Sequence, residues 1–137
     1  MTRRAGPPAA VPVPPGVLVV EDDAAVRDAL GLVLSVEGYP VRLADSADAG
    51  IACFAEHGAE IDVVVSDFQL GAGRNGLELL EELRRMAGRD LPAIVLSGDT
   101  SPILSRIDSV TRVALLRKPA DARLLISRIE ELFGAAE

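Results

Sequence analysis

Short apolar runs alternate along the chain with longer segments whose apolar residues repeat at helical spacing. The runs have four or five residues, are rich in branched side chains, and are bounded by acidic residues, Gly, Ser or Pro. They occupy residues 17–20, 39–43, 61–65, 93–96 and 113–116. Four are almost continuously apolar, which is typical of the inner strands of a parallel sheet. The run at 39–43 alternates and contains Pro40, so we predict that it is an edge strand.

Three of the intervening segments carry an apolar stripe that predicts an amphipathic helix. The stripes are formed by Val26, Leu30, Val33 and Leu34, by Leu79, Leu80, Leu83 and Met86, and by Leu125, Ile129 and Leu132. Gly38 and Gly88 follow the first two stripes, where glycine commonly ends a helix. Asp121 precedes the third stripe and is predicted to be its N-cap.

Two weaker helices are predicted from their first residues. Ser46 precedes an Ala-rich segment that reaches about His57, and Ser101-Pro102 places proline at the first position of a short helix. The chain therefore alternates strand and helix five times. Such units fold as a parallel sheet with helices on both faces, joined by right-handed crossovers. In proteins with such a sheet, the functional site forms beyond the carboxyl ends of the strands.

Composition divides the chain at residue 16. Residues 1–15 hold five of the nine prolines, which favours an extended, polyproline-like tail or linker. Residues 16–137 are rich in Val, Leu, Ile and Ala, and the total length of 137 residues predicts a single compact domain. The one cysteine, Cys53, excludes an internal disulfide and is expected to pack as a small apolar residue.

Charge and hydropathy argue against two classes of partner. The net charge of −7 and the pI of about 4.7 argue against a nucleic-acid surface, which needs clustered Lys and Arg. No apolar run approaches the roughly 18 residues of a membrane span, and the N-terminus lacks the apolar core of a signal peptide. We therefore expect a soluble, cytoplasmic protein without a membrane partner.

Polar side chains with complementary chemistry follow four of the predicted strands. Glu21 and Asp22 follow the first, Asp67 the third, Ser97 the fourth and Lys118 the fifth. All-oxygen ligation, with no clustered Cys or His, points to a hard cation such as Mg²⁺. A lysine adds a compact positive charge suited to phosphate. Together these groups supply the nucleophile and the charge neutralisation that transfer of a phosphoryl group to an aspartate requires.

Five segments resemble, in the right order, the signature of receiver domains of two-component response regulators and hybrid histidine kinases. They read VLVVEDD, DVVVSDFQL, NGLELLEELR, AIVLSGD and LLRKP, and the similarity spans about residues 16–134. The resemblance to this CheY-like superfamily implies an α/β, flavodoxin-like, doubly wound (βα)5 fold whose five-stranded parallel sheet has the order 2-1-3-4-5. It also implies that a histidine kinase or a histidine phosphotransfer protein supplies the phosphoryl group.

The resemblance assigns roles to the acidic residues. Asp67 is the phosphoacceptor and also a metal ligand. Glu21 and Asp22 are the acidic pair that binds Mg²⁺, Asp22 more directly, and Gln69 contributes its backbone carbonyl. The protein is then a switch that takes up and loses its own phosphoryl group, not a turnover enzyme, and it signals to a protein partner.

Ser97, Lys118 and Pro119 complete the phosphate side of the implied site. Ser97 stands where the family commonly has Thr, which leaves the hydroxyl in place, and Lys118 faces the phosphate. The Lys118–Pro119 bond is expected to be cis, an isomer essentially confined to bonds before proline. Leu115 occupies the position of the usual switching Tyr or Phe, so we expect the output to use Ser97 and the loop after it instead.

Two other functions compete with this interpretation. A receiver-like interaction module that signals without phosphorylation would keep the fold, but every functional position here holds a competent residue. A phosphatase of the haloacid dehalogenase type would need a second Asp two positions after the first, where this chain has Gln69. Direct DNA binding is not expected, since no residues follow 137. We expect His57 to be a surface residue and the charges at 78–85 to form a solvated helix face.

Overall fold

The computed structural model of the chain describes residues 14–71, 73–99, 103, 106, 107 and 110–134. Its strands are β1 (Val17–Val20), β2 (Val41–Ala44), β3 (Val63–Asp67), β4 (Ala93–Ser97) and β5 (Val113–Arg117). Its main helices are α1 (Ala24–Val36), α2 (Ala47–His57), α3 (Gly76–Ala87) and α4 (Ala122–Gly134), and a 3₁₀ turn (Gly58–Glu60) follows α2. The predicted helix start at Ser101-Pro102 and the predicted tail up to residue 13 lie outside the described residues.

All five strands run parallel in one sheet of order β2-β1-β3-β4-β5, as the resemblance implied. β2 lies at one edge of this order, which confirms the predicted edge strand, although the strand starts at Val41. β3 starts later than predicted, at Val63. The N–H groups of Asp62 and Val63 both donate to the carbonyl of Gly16, so Asp62 belongs to the turn that enters the strand.

The register of the strands decides which residues reach the functional edge of the sheet. Val20 lies beside Ser66, and Ser97 lies beside Arg117. The residues that follow β1 and β5 therefore lie next to the last residues of β3 and β4. This is the edge at which the sites of doubly wound sheets form.

The core consists of two apolar layers, one on each face of the sheet. Side chains of a strand point alternately to opposite faces, so Leu18 and Val20 pack with α2 and α3, whereas Val17 and Val19 pack with α1 and α4. The buried helix residues are Ala47, Phe54, Leu79, Leu80 and Leu83 in the first layer and Leu30, Leu34, Leu125 and Ile129 in the second. These positions in α1, α3 and α4 confirm the predicted apolar stripes, whereas Ala47 and Phe54 of α2 belonged to none of them.

Met86 departs from the predicted stripe, since 39% of its surface is exposed. One turn after Leu83, the position that faces the core is held by Ala87, which packs against the layer of α2 and α3. Cys53 packs against the same layer, as expected, and burial raises the pKa of its thiol.

The ends of the helices follow the predicted signals. The side chains of Ser46 and Asp121 accept backbone N–H groups in the first turns of α2 and α4. Gly38 and Gly88 follow α1 and α3 with φ angles of 96° and 70°, in the left-handed region that glycine adopts without strain. Asn75, for which we made no prediction, caps α3 by accepting a first-turn N–H group.

Leu83→Ala tests the packing of α3 against the sheet. Leu83 is fully buried, so the substitution should lower the free energy of unfolding by about 2–5 kcal/mol. Met86→Ala, in the same helix, should cost much less because the Met86 side chain is partly in solvent. Chemical denaturation followed by circular dichroism measures both losses. Equal losses for the two variants would contradict the assignment of the buried face.

Candidate functional site

The carboxyl ends of β1, β3, β4 and β5 carry the residues that the sequence analysis singled out. Glu21 directly follows β1, Asp67 is the last residue of β3, Ser97 is the last residue of β4, and Lys118 directly follows β5. Asp22 comes next after Glu21, in the turn that leads to α1. The sheet therefore fixes the backbone from which each of these side chains extends.

Glu21, Asp22 and Asp67 form an acidic cluster in which one carboxylate oxygen of each residue lies within 4.8 Å of the others. Glu21 and Asp67 are buried, with 1% and 7% of their surfaces exposed, whereas Asp22 is exposed. Lys118 Nζ lies 3.4 Å from Glu21 Oε1 and 3.3 Å from Asp67 Oδ2. The lysine ammonium thus balances part of the charge of the cluster.

Burial is the largest single influence on the pKa values of Glu21 and Lys118. It raises the pKa of Glu21; the N–H of Asp23 and the Lys118 ammonium oppose this rise, and the Asp67 carboxylate adds to it. Burial also disfavours the charged form of Lys118, but attraction to Asp67 and Glu21 outweighs it and raises the pKa of the lysine. Lys118 is therefore protonated at neutral pH and serves as a fixed positive charge beside Asp67.

The donor set of the acidic cluster fits a hard divalent cation. Its candidate ligand atoms are all oxygens, and no Cys or His of the described residues belongs to it. A cation between the carboxylates would relieve the repulsion that Glu21 experiences from Asp67. The cluster is therefore a candidate metal site.

Ser97 and Gln69 make local hydrogen bonds at the ends of their strands. The Ser97 hydroxyl donates to the Asp99 carbonyl at 2.9 Å and accepts the Asp99 N–H at 3.3 Å, so it is tied to the turn after β4. The Gln69 N–H donates to Asp67 Oδ1 at 3.4 Å, and Gln69 itself is exposed. Metal ligation by the Gln69 backbone carbonyl stays a prediction.

The loop after β3 returns to Asp67 at Gly76, a residue that we did not single out from the sequence. The Gly76 N–H donates to the Phe68 carbonyl at 2.7 Å. A Cβ on Gly76 would lie 2.6 Å from the Asp67 carbonyl oxygen and 3.1 Å from Phe68 Cα. The first turn of α3 can therefore lie against the backbone of Asp67 only because this residue has no side chain. The signal that was available is a glycine at the very start of a helical stripe.

Arg84 corrects the prediction of a solvated face at 78–85. Its guanidinium donates to the backbone carbonyls of Leu91 and Thr111, and burial lowers its pKa. Arg84 therefore ties α3 to the segments that enter β4 and β5. Arg85 pairs with Glu82 on the surface, as expected.

The structure also locates three other residues that the sequence analysis discussed, Pro119, Leu115 and His57. The Lys118–Pro119 bond is cis, as predicted. Leu115 is only partly buried within β5, so it is less enclosed than a core residue. His57 lies at the end of α2, partly exposed and close to the carboxylates of Glu56 and Glu60, which agrees with a surface role.

The response regulator receiver domain family matches residues 17–130 of the chain. The chain belongs to this receiver family. The receiver domain is 35% identical over 129 residues to the transcriptional regulatory protein AruR of Pseudomonas aeruginosa. This match covers 86% of the chain and 49% of AruR. It is 30% identical over 122 residues to the transcriptional regulatory protein FixJ of Bradyrhizobium diazoefficiens. This match covers 88% of the chain and 58% of FixJ. The chain thus spans about half the length of these relatives.

Solved receiver domains share this fold. The receiver domain of NtrX from Brucella abortus is 30% identical with a TM-score of 0.73, covering 85% of this chain and 96% of the other. The receiver domain of the hybrid histidine kinase CckA is 29% identical with a TM-score of 0.71 and the same coverage of both chains, 85% and 96%. A receiver domain protein from Clostridium thermocellum, at 24% identity and a TM-score of 0.79 over 89% of this chain and 96% of that one, shows the fold alone.

These similarities confirm the predicted family and the flavodoxin-like fold. The chain is a receiver domain of two-component signal transduction, a family of phosphoacceptor switches. None of the similarities supports the alternative of a module that signals without phosphorylation.

Gly76→Ala tests the close contact between α3 and Asp67 in the receiver domain. Alanine is ordinarily the better helix residue by about 1 kcal/mol, yet here its Cβ would collide with backbone, so the melting temperature should fall. Gly98→Ala is the control, because a Cβ there meets no atom within 4 Å. Thermal unfolding followed by circular dichroism compares the two variants. A melting temperature of Gly76→Ala at or above that of the wild type would contradict the contact.

Proposed function

We propose that the receiver domain takes a phosphoryl group on Asp67, with Mg²⁺ bound by the acidic cluster. The observation that carries this proposal is the convergence of three carboxylates within 4.8 Å of one another beside an ammonium 3.3 Å from Asp67 Oδ2. Membership of the receiver family supports the role of phosphoacceptor. Within the cluster, Asp67 alone extends from the central strand β3, where it contacts Lys118 and also accepts the backbone N–H of Gln69.

Asp67 acts as the nucleophile in this proposal. One carboxylate oxygen attacks the phosphorus of a phosphohistidine, the P–N bond breaks, and the leaving imidazole takes up a proton. The Lys118 ammonium, already held beside Asp67 Oδ2, neutralises charge on a phosphoryl oxygen. Attack by water on the aspartyl phosphate later restores the carboxylate and releases inorganic phosphate. The domain therefore cycles as a switch and is not a turnover enzyme.

Mg²⁺ is the proposed cation because phosphoryl-transfer sites hold it through one or two carboxylates and leave positions for water and phosphate oxygens. Glu21, Asp22 and Asp67 would hold it, together with the Gln69 backbone carbonyl. When bound, Mg²⁺ neutralises charge on the phosphoryl oxygens. The Glu21 carboxylate is already engaged by Lys118 and by the Asp23 N–H, whereas Asp22 is exposed. This difference supports Asp22 as the more direct ligand.

A histidine kinase or a histidine phosphotransfer protein is the proposed phosphoryl donor. An apolar groove of about 500 Å³ lies between α1 and α4 and reaches Lys118. Ala29 and Val33 of α1 line one side of it, and Ala122 and Leu125 of α4 line the other. Because a phosphohistidine must reach Asp67 over this edge of the sheet, the groove is placed to bind an apolar helix face of the donor.

Output is proposed to pass to a protein partner through the turn after β4. Ser97 bonds both backbone groups of Asp99, so a hydroxyl that moves toward the phosphoryl group displaces this turn. Leu115 has no polar tip with which to follow the hydroxyl, and we propose that it keeps its place in β5.

The place of action is proposed to be the cytoplasm. In the part of the chain that the structure describes, no helix has the length and apolar character needed to cross a bilayer. AruR and FixJ are transcriptional regulatory proteins about twice as long as the matched region. The expectation that the chain does not bind nucleic acid directly therefore stays a prediction.

Asp67→Asn tests the phosphoacceptor. Incubation of the wild type with acetyl phosphate and Mg²⁺ should add the mass of one phosphoryl group, because the Asp67 carboxylate is the nucleophile. The side-chain amide of the variant is not a comparable nucleophile, so intact-mass spectrometry should find no such addition in it. A wild-type yield of phosphoprotein in the variant would place the acceptor elsewhere.

Asp22→Ala tests the metal site. The variant loses one anionic oxygen, and Mg²⁺ affinity should fall by about tenfold or more, or ~1.4 kcal/mol. Asp28→Ala, on the exposed side of α1 outside the acidic cluster, removes the same charge and should change the affinity far less. Titration followed by amide NMR gives both dissociation constants. Equal effects of the two variants would refute a direct role of Asp22.

Ala29→Glu tests the groove between α1 and α4. The added carboxylate enters an apolar surface, so phosphotransfer from a cognate protein donor should slow by about tenfold, the effect of ~1.4 kcal/mol. The rate with acetyl phosphate is the internal reference, since a small donor needs no groove. Ala52→Glu, at an exposed position of α2, is the matched control. Slowing of both donors to the same extent would refute docking in the groove.

A further inference from the structure

Arg27, the fourth residue of α1, bonds the backbone of Glu21, a member of the acidic cluster. Its Nη1 donates to the carbonyl oxygen of Glu21 at 2.9 Å. The α1 helix holds Arg27 in position, since the Arg27 N–H donates to the Asp23 carbonyl and the Asp23 side chain caps the helix. The guanidinium is thus fixed at the peptide that joins Glu21 to Asp22.

The Glu21 carbonyl lies just beyond the end of β1. The Glu21 N–H donates to Ala44 of β2 at 3.0 Å, but the paired register of β1 stops at Val20. A carbonyl at the end of a strand needs a partner from elsewhere, and Arg27 provides it. Arg27 is therefore the side chain that holds this carbonyl.

The orientation of this peptide sets the directions of two cluster carboxylates. Glu21 turns inward to Lys118, whereas its neighbour Asp22 remains exposed, and an oxygen of each still lies within 4.8 Å of the others in the cluster. Groups that orient metal ligands from outside affect metal affinity through geometry. A hydrogen bond to the peptide between two ligand residues acts on both at once.

We infer that Arg27 is a positioning residue of the metal site, which holds the peptide between Glu21 and Asp22 so that both carboxylates converge with that of Asp67. The inference rests on the proposed binding of Mg²⁺ and extends it to Arg27, which bonds the backbone of Glu21.

Charge and geometry predict opposite effects of removing Arg27. A positive charge beside a cation site repels the cation, so its loss should strengthen Mg²⁺ binding if charge alone matters. Loss of the hydrogen bond to the Glu21 carbonyl should weaken Mg²⁺ binding if positioning matters. The sign of the change in affinity therefore separates the two roles.

The test uses Arg27→Met, which keeps an unbranched stem without a donor, and Arg27→Lys, which keeps the charge. Arg85→Met is the matched control, because Arg85 is exposed and pairs with Glu82 in the last turn of α3. Amide NMR titration measures Mg²⁺ affinity, and the carbonyl ¹³C shift of Glu21 in the metal-free protein reports the hydrogen bond itself. Thermal unfolding verifies that each variant is folded at the titration temperature.

We expect Arg27→Met to lower Mg²⁺ affinity by about tenfold to a hundredfold and to move the Glu21 carbonyl shift. Arg27→Lys should fall between the wild type and Arg27→Met, and Arg85→Met should bind as the wild type does. Unchanged or tighter Mg²⁺ binding by folded Arg27→Met or, if that variant unfolds, by Arg27→Lys would overturn the inference. A wild-type protein that binds no Mg²⁺ would instead refute the proposed function on which the inference rests.

Discussion

Three carboxylates and one ammonium meet at the carboxyl edge of the sheet, and repulsion among the carboxylates is the constraint on which this edge depends. Burial of Glu21 increases that repulsion, because water no longer screens it from Asp67. The groups stay together since they extend from strands whose register is fixed by pairing and by two apolar layers beneath them. The packed core and the Lys118 ammonium between Glu21 and Asp67 thus maintain a local arrangement that repulsion among the carboxylates opposes.

The sequence predicted features that depend on periodicity and on position in the topology. The carboxyl ends of parallel strands meet at one edge of the sheet, so the sequence alone predicts that Glu21, Asp67 and Lys118 lie together. The ends of helices were equally predictable, because Ser46 and Gly88 cap a helix through interactions with neighbouring residues in the chain. These signals are local or follow directly from the order of the elements.

Contacts to backbone from distant side chains were not predictable in the same way. Arg84 bonds carbonyls that lie 7 and 27 residues away, and a carbonyl carries no mark in the sequence. Gly76 is required by the carbonyl of Asp67 and not by a side chain. The prediction that Met86 belongs to the buried stripe was wrong for a simpler reason. Ala87 packs against the core in its place, and the spacing of apolar residues does not distinguish two adjacent positions.

Arginines that bond carbonyls recur at the opposite edge of the sheet. Arg84, Arg89 and Arg112 donate to carbonyls of Leu91, Ile61 and Leu132, where the chain enters a strand or leaves a helix. A guanidinium offers five donors and stays charged, so one side chain can satisfy several carbonyls that no regular element pairs. Although the chain has a net charge of −7, these arginines donate hydrogen bonds mainly to backbone carbonyls. Among the described residues, Lys118 is the cation that forms ion pairs with the carboxylates of the acidic cluster.

The contact at Gly76 couples the start of α3 to the end of β3. With 2.6 Å between the Asp67 carbonyl oxygen and the place where a Cβ would be, little space remains to absorb a displacement. The Gly76 N–H bond to Phe68 joins the same two segments. A shift of the Asp67 backbone toward the helix must therefore be shared by the helix. The end of β3 and the first turn of α3 therefore move together, so the position of the helix start reports the position of the Asp67 backbone.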